Sequence, residues 1–247
     1  MTFEQRSARA ALLARQSESA REVLEFASAL TKAQAECADR LQPVVLTGRL
    51  TDDADKLVTL ITPVLKVIAE HSGEAERRLS DSADIAKTRL QVFWSNGHAD
   101  YIARTLLQPY AEVLRARNIA PDREHSRGHC PFCGGAPWVA LRRSEPDAES
   151  GFRYLQCSLC ALEWRVNRVH CPSCFEEDPH KLPQFQNDVH KNVRIEACET
   201  CRRYVKSIDL TIDARPLPAV DDLVSLSMDL WAAEEGYARL EPGLAGL

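Results

Sequence analysis

The sequence predicts an α+β chain: an N-terminal α-helical bundle, two tandem rubredoxin-like or zinc-ribbon four-cysteine metal modules, and a C-terminal helix. Three observations predict it. Apolar residues recur at helical spacing through residues 1–124, four C-x-x-C pairs form a doubled block between Cys130 and Cys201, and an apolar stripe follows Pro216 and Pro218. The units so marked are residues 1–124, 125–167, 168–215 and 216–247.

Composition sets the class. The 247 residues are 45% hydrophobic and 27% charged, the balance of a globular chain. No apolar run approaches the ~20 residues that span a bilayer. The N-terminal stretch lacks an apolar core followed by a small-residue cleavage site, and it shows no twin-arginine pair. With thiols spaced for metal, the expected compartment is the reducing cytoplasm.

In the first unit, Val23, Phe26, Leu30, Cys37 and Leu41 fall on one helical face. Cys37 has no partner thiol nearby and reads as a small buried hydrophobe. Leu57, Leu60, Ile61, Val64, Leu65 and Ile68 form a second stripe behind the start signal Asp52-Asp53, and Pro63 predicts a kink or restart within it. Ala86, Leu90 and Phe93 mark a third helix that ends at Ser95-Asn96-Gly97. Ile102, Leu106, Tyr110 and Val113 mark a fourth, with a bend expected at Pro109. His98, at the entrance to that helix, reads as a cap or surface residue. No Ser/His/Asp arrangement, phosphate loop or paired-histidine metal motif is visible, and this helical half shows no constellation of catalytic residues.

The second and third units carry the chemistry. The pairs are Cys130/Cys133, Cys157/Cys160, Cys171/Cys174 and Cys198/Cys201. Cys130 and Cys171 are 41 residues apart, as are Cys157 and Cys198, and in the same register Arg127, His129, Pro131 and Arg153 match Arg168, His170, Pro172 and Arg194. A C-x-x-C pair folds into a tight knuckle that aims two thiolates at one ion, and two knuckles complete a tetrahedral site for zinc or iron. The repeat assigns Cys130, Cys133, Cys157 and Cys160 to one site and Cys171, Cys174, Cys198 and Cys201 to the other. Pairing the first knuckle with the third would ignore the repeat. A lone thioredoxin-type pair or a set of secreted disulfides fits this pattern less well. At about 40 residues each module is too small to hold together without such a cross-link.

Short strands are expected at 138–141, 152–155, 162–166 and 204–208, with 142–151 read as a polar hairpin loop. Trp164 and Tyr204 are placed near the sulfurs as shields. In the last unit, Asp221 and Asp222 suit a helix N-terminus, and Leu223, Leu226, Leu230 and Trp231 form its apolar stripe.

Charge argues against nucleic acid. Residues 125–215 hold 13 Lys/Arg against 12 Asp/Glu, a balance that turns negative once eight thiolates and two divalent ions are counted. Nucleic-acid modules need a basic surplus to meet phosphates. Arg142, Arg143, Arg202 and Arg203 read as solvated surface charge.

Several motifs occur in order: Arg104-Thr-Leu-Leu-Gln-Pro-Tyr110, Cys130-Pro-Phe-Cys133-Gly-Gly-Ala-Pro137, Arg153-Tyr-Leu-Gln-Cys157-Ser-Leu-Cys160 with Glu163-Trp164, Glu196-Ala-Cys198-Glu-Thr-Cys201 with Tyr204-Val-Lys206, and Asp221-Asp-Leu-Val-Ser-Leu226 with Asp229-Leu230. Together they resemble the formate dehydrogenase accessory protein FdhE family over residues 98–231. The resemblance implies a non-enzymatic assembly factor that contacts the catalytic subunit of formate dehydrogenase in the cytoplasm. It implies rubredoxin-type iron at the eight cysteines, with zinc as the alternative. A rubredoxin-like electron carrier and a nucleic-acid-binding zinc ribbon are the rival readings. One departure stands out. The residue after the second cysteine of such knuckles takes a left-handed conformation and is often Gly; Gly134 keeps it, but Ala161, Phe175 and Arg202 hold the other three positions.

Overall fold

The structure, a computed structural model, describes residues 2–71, 82–96, 100–145 and 148–244. It divides into two compact units, residues 1–125 with 132–134, and 126–131 with 135–247.

The first unit is helical: α1 (Phe3–Gln16), α2 (Arg21–Leu41), α3 (Leu50–Leu60), α4 (Thr62–His71), α5 (Ala83–Asn96) and α6 (Tyr101–Ala116). Thr2 and Gln5 form a reciprocal capping box that starts α1. The buried face of α2 is Leu24, Ala27, Leu30, Gln34, Cys37 and Leu41, one position out of phase with the expected Val23 and Phe26, which are half-buried. Small Ala27 and Ala33 let α2 approach its neighbours, and hydropathy alone underweights them. The Cys37 thiol donates to the Leu60 carbonyl at 3.1 Å, and burial pushes it up to about 11. It sits there as a hydrophobe. The break at Pro63 is a restart: α3 ends before Ile61, and α4 begins with the proline in its first turn, where a missing N–H is tolerated.

Helix α6 is capped by Asp100, whose carboxylate accepts from the Ile102 and Ala103 amides and is clamped by Arg89. His98 lies outside the described residues. Pro109 sits inside α6, which continues to Ala116. The buried side chain of Gln34 donates to the Thr105 carbonyl at 2.9 Å. Asp53 is buried at the start of α3 and accepts from Thr47 N, Gly48 N and the Tyr110 hydroxyl at 2.9, 3.2 and 2.8 Å.

The second unit is one seven-stranded sheet of β1 (Pro137–Glu145), β2 (Ala148–Cys157), β3 (Glu163–Val166), β4 (Gln184–Phe185), β5 (Val193–Cys198), β6 (Arg203–Asp209) and β7 (Ala238–Arg239). The order is β3-β2-β1-β6-β5-β4, and β7 pairs with β6. The two repeats are therefore continuous. Their junction is a parallel pairing of β1 with β6, Val139 opposite Lys206 through Arg142 opposite Asp209. Arg153 strengthens it, because its buried guanidinium holds Glu196 of the second repeat and the Asn167 and His170 carbonyls between the repeats.

The expected loop at 142–151 is mostly strand. β1 runs to Glu145, and β2 begins at Ala148. Part of the polarity that suggested a loop lies in ion pairs across the sheet, Arg143 of β1 with Glu163 of β3 at 2.9 Å and Arg142 with Asp209 of β6 at 3.8 Å. Strand β5 has the alternating burial of an amphipathic strand, with Val193, Ile195 and Ala197 turned inward.

One face of the sheet, carrying Val139, Leu141, Ile195, Tyr204 and Ile208, packs against Met228 and Ala232 of the last helix, α8 (Leu226–Glu234). The other face gathers Ala140, Leu155 and Val205 with Trp164. A short turn of helix, α7 (Pro218–Asp221), and a 3-10 turn (Asp222–Ser225) lead into α8. The inward apolar residues of this segment are Pro218, Val220, Leu223, Met228 and Ala232. Leu230, expected on the apolar stripe, is exposed because the 3-10 turn rotates the face.

Two candidate metal centres and a buried charge cluster

Three of the four knuckles share one turn. The chain turns back so that an amide four residues on meets the first cysteine's carbonyl: Ala161 N to Cys157 O, Phe175 N to Cys171 O, and Arg202 N to Cys198 O, at 3.2, 3.0 and 2.9 Å. The first cysteine of each repeat also donates its amide five residues ahead, Cys130 N to Gly135 O and Cys171 N to Glu176 O, both at 2.9 Å. The Cys157 and Cys198 turns, and the Cys130 and Cys171 amide bonds, recur at the 41-residue offset of the sequence repeat. The turn requires positive φ after the second cysteine, and all four positions have it: Gly134 (66°), Ala161 (56°), Phe175 (66°) and Arg202 (54°). Gly134 alone is a glycine, and its surroundings give the reason. A Cβ there would lie 2.3 Å from the Glu124 carbonyl oxygen.

The knuckles converge in sequential pairs. The sulfurs of Cys130, Cys133, Cys157 and Cys160 lie within 4.8 Å of one another, and so do those of Cys171, Cys174, Cys198 and Cys201. Cys130 and Cys160 are 3.6 Å apart, Cys171 and Cys201 3.7 Å, and Cys174 and Cys198 3.6 Å. A disulfide would bring sulfurs to about 2.05 Å. A tetrahedron with bonds of about 2.3 Å has edges near 3.8 Å, so four sulfurs in each cluster suit one ion. The Leu159 and Cys160 amides donate to the Cys157 sulfur at 3.3 and 3.4 Å, as they would to a thiolate. All four cysteines of the first cluster are buried, whereas in the second Cys174 and Cys201 are half-exposed.

Sequence reading missed a third feature. Strand alternation places Lys206 on the same face as Tyr204 and Ile208, under α8, where it is fully buried. An ammonium there requires anionic partners. It pairs with Asp229 and with Asp222 at 3.0 Å, and donates to the Asp222 carbonyl and the Ser225 hydroxyl. Arg239 of β7 joins the same carboxylates, at 2.8 Å to Asp222 and 3.3 Å to Asp229, and the Tyr204 hydroxyl donates to Asp229 at 2.8 Å. Two cations and two anions balance. Burial alone would raise the Asp222 carboxyl, but Arg239 and Lys206 outweigh it and hold it down at about 2. Asp222 is thus a buried counter-ion, not the helix-dipole residue expected. Tyr204, expected as a sulfur shield, commits its hydroxyl to this cluster.

The quoted motif residues meet here, since Tyr204 and Lys206 of one motif touch Asp222, Ser225 and Asp229 of another. Comparison with known families finds the FdhE central domain at residues 129–168 and the FdhE C-terminal domain at residues 169–244. The chain is FdhE-like over residues 129–244. A protein named FdhE homolog from Aquifex aeolicus is 29% identical over 203 residues, 78% of this chain and 71% of that protein. The Pseudomonas aeruginosa homolog is 40% identical over 124 residues, and Escherichia coli FdhE is 30% identical over 183. The chain spans only 40% and 57% of those two relatives. The fold matches the crystal structure of the FdhE protein from P. aeruginosa with a TM-score of 0.72 at 24% identity, covering 98% of this chain and 94% of that one. In FdhE terms, each cysteine cluster takes two knuckles from one repeat, while the charge cluster falls wholly within the C-terminal domain.

Proposed function

We propose that the eight cysteines hold two metal ions and that the protein is an accessory factor for formate dehydrogenase, binding its catalytic subunit in the cytoplasm during assembly. The observation that carries this reading is a pair of four-sulfur clusters on one shared sheet, in a chain that is FdhE-like over residues 129–244. Each ion would cross-link two knuckles, contributing about 10–16 kcal/mol of apparent binding energy to ribbons otherwise too small to persist. The ribbons, residues 125–167 and 168–215, would then offer a partner a stiff surface. Iron in a rubredoxin-type site is the first choice of metal and zinc the second, since both accept four thiolates.

The protein is proposed to be a non-enzyme. Among the described residues no helix is long and apolar enough to cross a membrane. Arg142 and Arg143 face Asp209 and Glu163, and Arg202 pairs with Glu199, so these cations are partly neutralised, in keeping with a protein partner and not nucleic acid. The four-thiolate clusters also suit a rubredoxin-like electron carrier. Affinity capture of the full chain from its native cytoplasm, with elemental analysis of the same sample, tests the proposal. The expected result is the formate dehydrogenase catalytic subunit with two metal equivalents. Capture of a reductase instead, with rapid turnover of iron-loaded protein, would favour the carrier.

A further inference from the structure

We propose that the two centres are inequivalent: the first is a permanent fastening, and the second exchanges its metal through the edge formed by Cys174 and Cys201. This rests on the metal reading above. Three independent observations carry it.

The first is burial. Cys130, Cys133, Cys157 and Cys160 are all buried, whereas Cys174 and Cys201 are half-exposed and Cys171 and Cys198 are buried. This half-buried pair takes the second cysteine of each knuckle, so accessibility is concentrated on one edge of the sulfur cluster. An incoming ligand must reach the ion or a sulfur, and only this cluster offers either to solvent.

The second is the chemistry inside the later knuckle of each repeat, compared at the 41-residue offset. In the first repeat Cys157 and Cys160 enclose Ser158 and Leu159, both buried. In the second, Cys198 and Cys201 enclose Glu199 and Thr200, both exposed. Gly135 of the first repeat corresponds to Glu176, whose carboxylate accepts from Thr200 at 2.6 Å. Where the first repeat has a buried Ser-Leu pair, the second has a solvated hydrogen bond bridging the two knuckles, a contact that opens and closes far more readily.

The third is strain. The left-handed position is held by Gly134 and Ala161 in the first centre, but by Phe175 and Arg202 in the second. Only glycine adopts that conformation freely, so the second centre closes against greater backbone resistance.

The full chain, loaded with two equivalents of zinc(II), would be challenged with 4-(2-pyridylazo)resorcinol while the coloured chelate is followed. In parallel, brief N-ethylmaleimide treatment would be mapped by mass spectrometry. The expected result is rapid loss of one equivalent with the other retained, and early label on Cys174 and Cys201 with Cys130, Cys133, Cys157 and Cys160 protected. Loss of both equivalents in one phase, or label reaching Cys133 or Cys160 as early, would overturn the inequivalence and leave the metal reading intact. A folded chain that takes up no zinc or iron at either centre would overturn the metal reading, and this inference with it.

Discussion

Gln34 donates its side-chain amide to the carbonyl of Thr105, the oxygen that the amide of residue 109 would occupy if that residue were not proline. The same Nε2 reaches Gln108 Oε1 at 2.6 Å. A proline inside a helix strands the carbonyl four residues back, and here a neighbouring helix supplies the missing donor. Replacing Gln34 with methionine should therefore lower stability by about 1–3 kcal/mol, the penalty for an unsatisfied buried acceptor. The loss should shrink in a Pro109→Ala background. A double-mutant cycle in urea reads it, and a coupling of zero would mean that Gln34 acts by packing alone.

Lys206 is the centre of the buried charge cluster, and the cluster fastens α8 and β7 to the sheet. Lys206→Met should cost about 3–5 kcal/mol, because it leaves Asp222 and Asp229 with Arg239 as their one remaining buried cation. Urea midpoints measure the effect. A change no greater than that of an exposed lysine would show that the carboxylates recruit water instead.

The same cluster sets a pH dependence. The Asp222 carboxyl is depressed to about 2 in the folded chain, against an unfolded value of about 3.9. A depressed carboxylate contributes in full above its unfolded value, and the contribution is lost as pH falls through the folded one. The stability gap between the wild type and Asp222→Asn should be widest above about pH 4 and narrow toward pH 2. A gap that stays constant over that range would place the origin of Asp222's effect outside its charge.

Removal of one sulfur tests the first centre. Cys133→Ser should leave one metal equivalent per chain and disorder the first ribbon, given how much of its folding energy a bound ion would supply. Elemental analysis and thermal unfolding report both effects. A full metal count with unchanged unfolding would rule out Cys133 as a ligand.

The two left-handed positions of the first centre should respond in opposite directions. Gly134→Ala forces a Cβ to 2.3 Å from the Glu124 carbonyl, so backbone must move and stability should fall by more than about 2 kcal/mol. Ala161→Gly removes a conformational penalty of about 1–2 kcal/mol and adds unfolded-state freedom, for a net gain below about 1 kcal/mol. Chemical denaturation of the metal-loaded proteins compares them.

The cysteine repeat was legible in the sequence because four sulfurs must meet at one point, which fixes both residue type and spacing. The helical stripes around Leu57 and Tyr110 were legible for a similar reason, since burial repeats with the helix period. The buried face of α2 was misphased because Ala27 and Gln34 contribute through size and a single hydrogen bond, which hydropathy does not register. Strand β5 carried a signal that went unread, the alternation of Val193, Ile195 and Ala197. Lys206 carried one too, as a charge flanked at period two by Tyr204 and Ile208. Asp222 and Asp229 offered none, because their counter-ions are distant in the chain. The pairing of β1 with β6 is likewise a long-range choice that local pattern does not encode.

That pairing constrains how either half can vary. The family divides this region between residues 168 and 169, yet the backbone ladder from Val139 to Arg142 runs directly onto Lys206 to Asp209 across the division. The two repeats are thus held as one body. A change on one side of the seam must be accommodated by the other, so the halves can differ in surface and chemistry while the seam between them keeps one geometry.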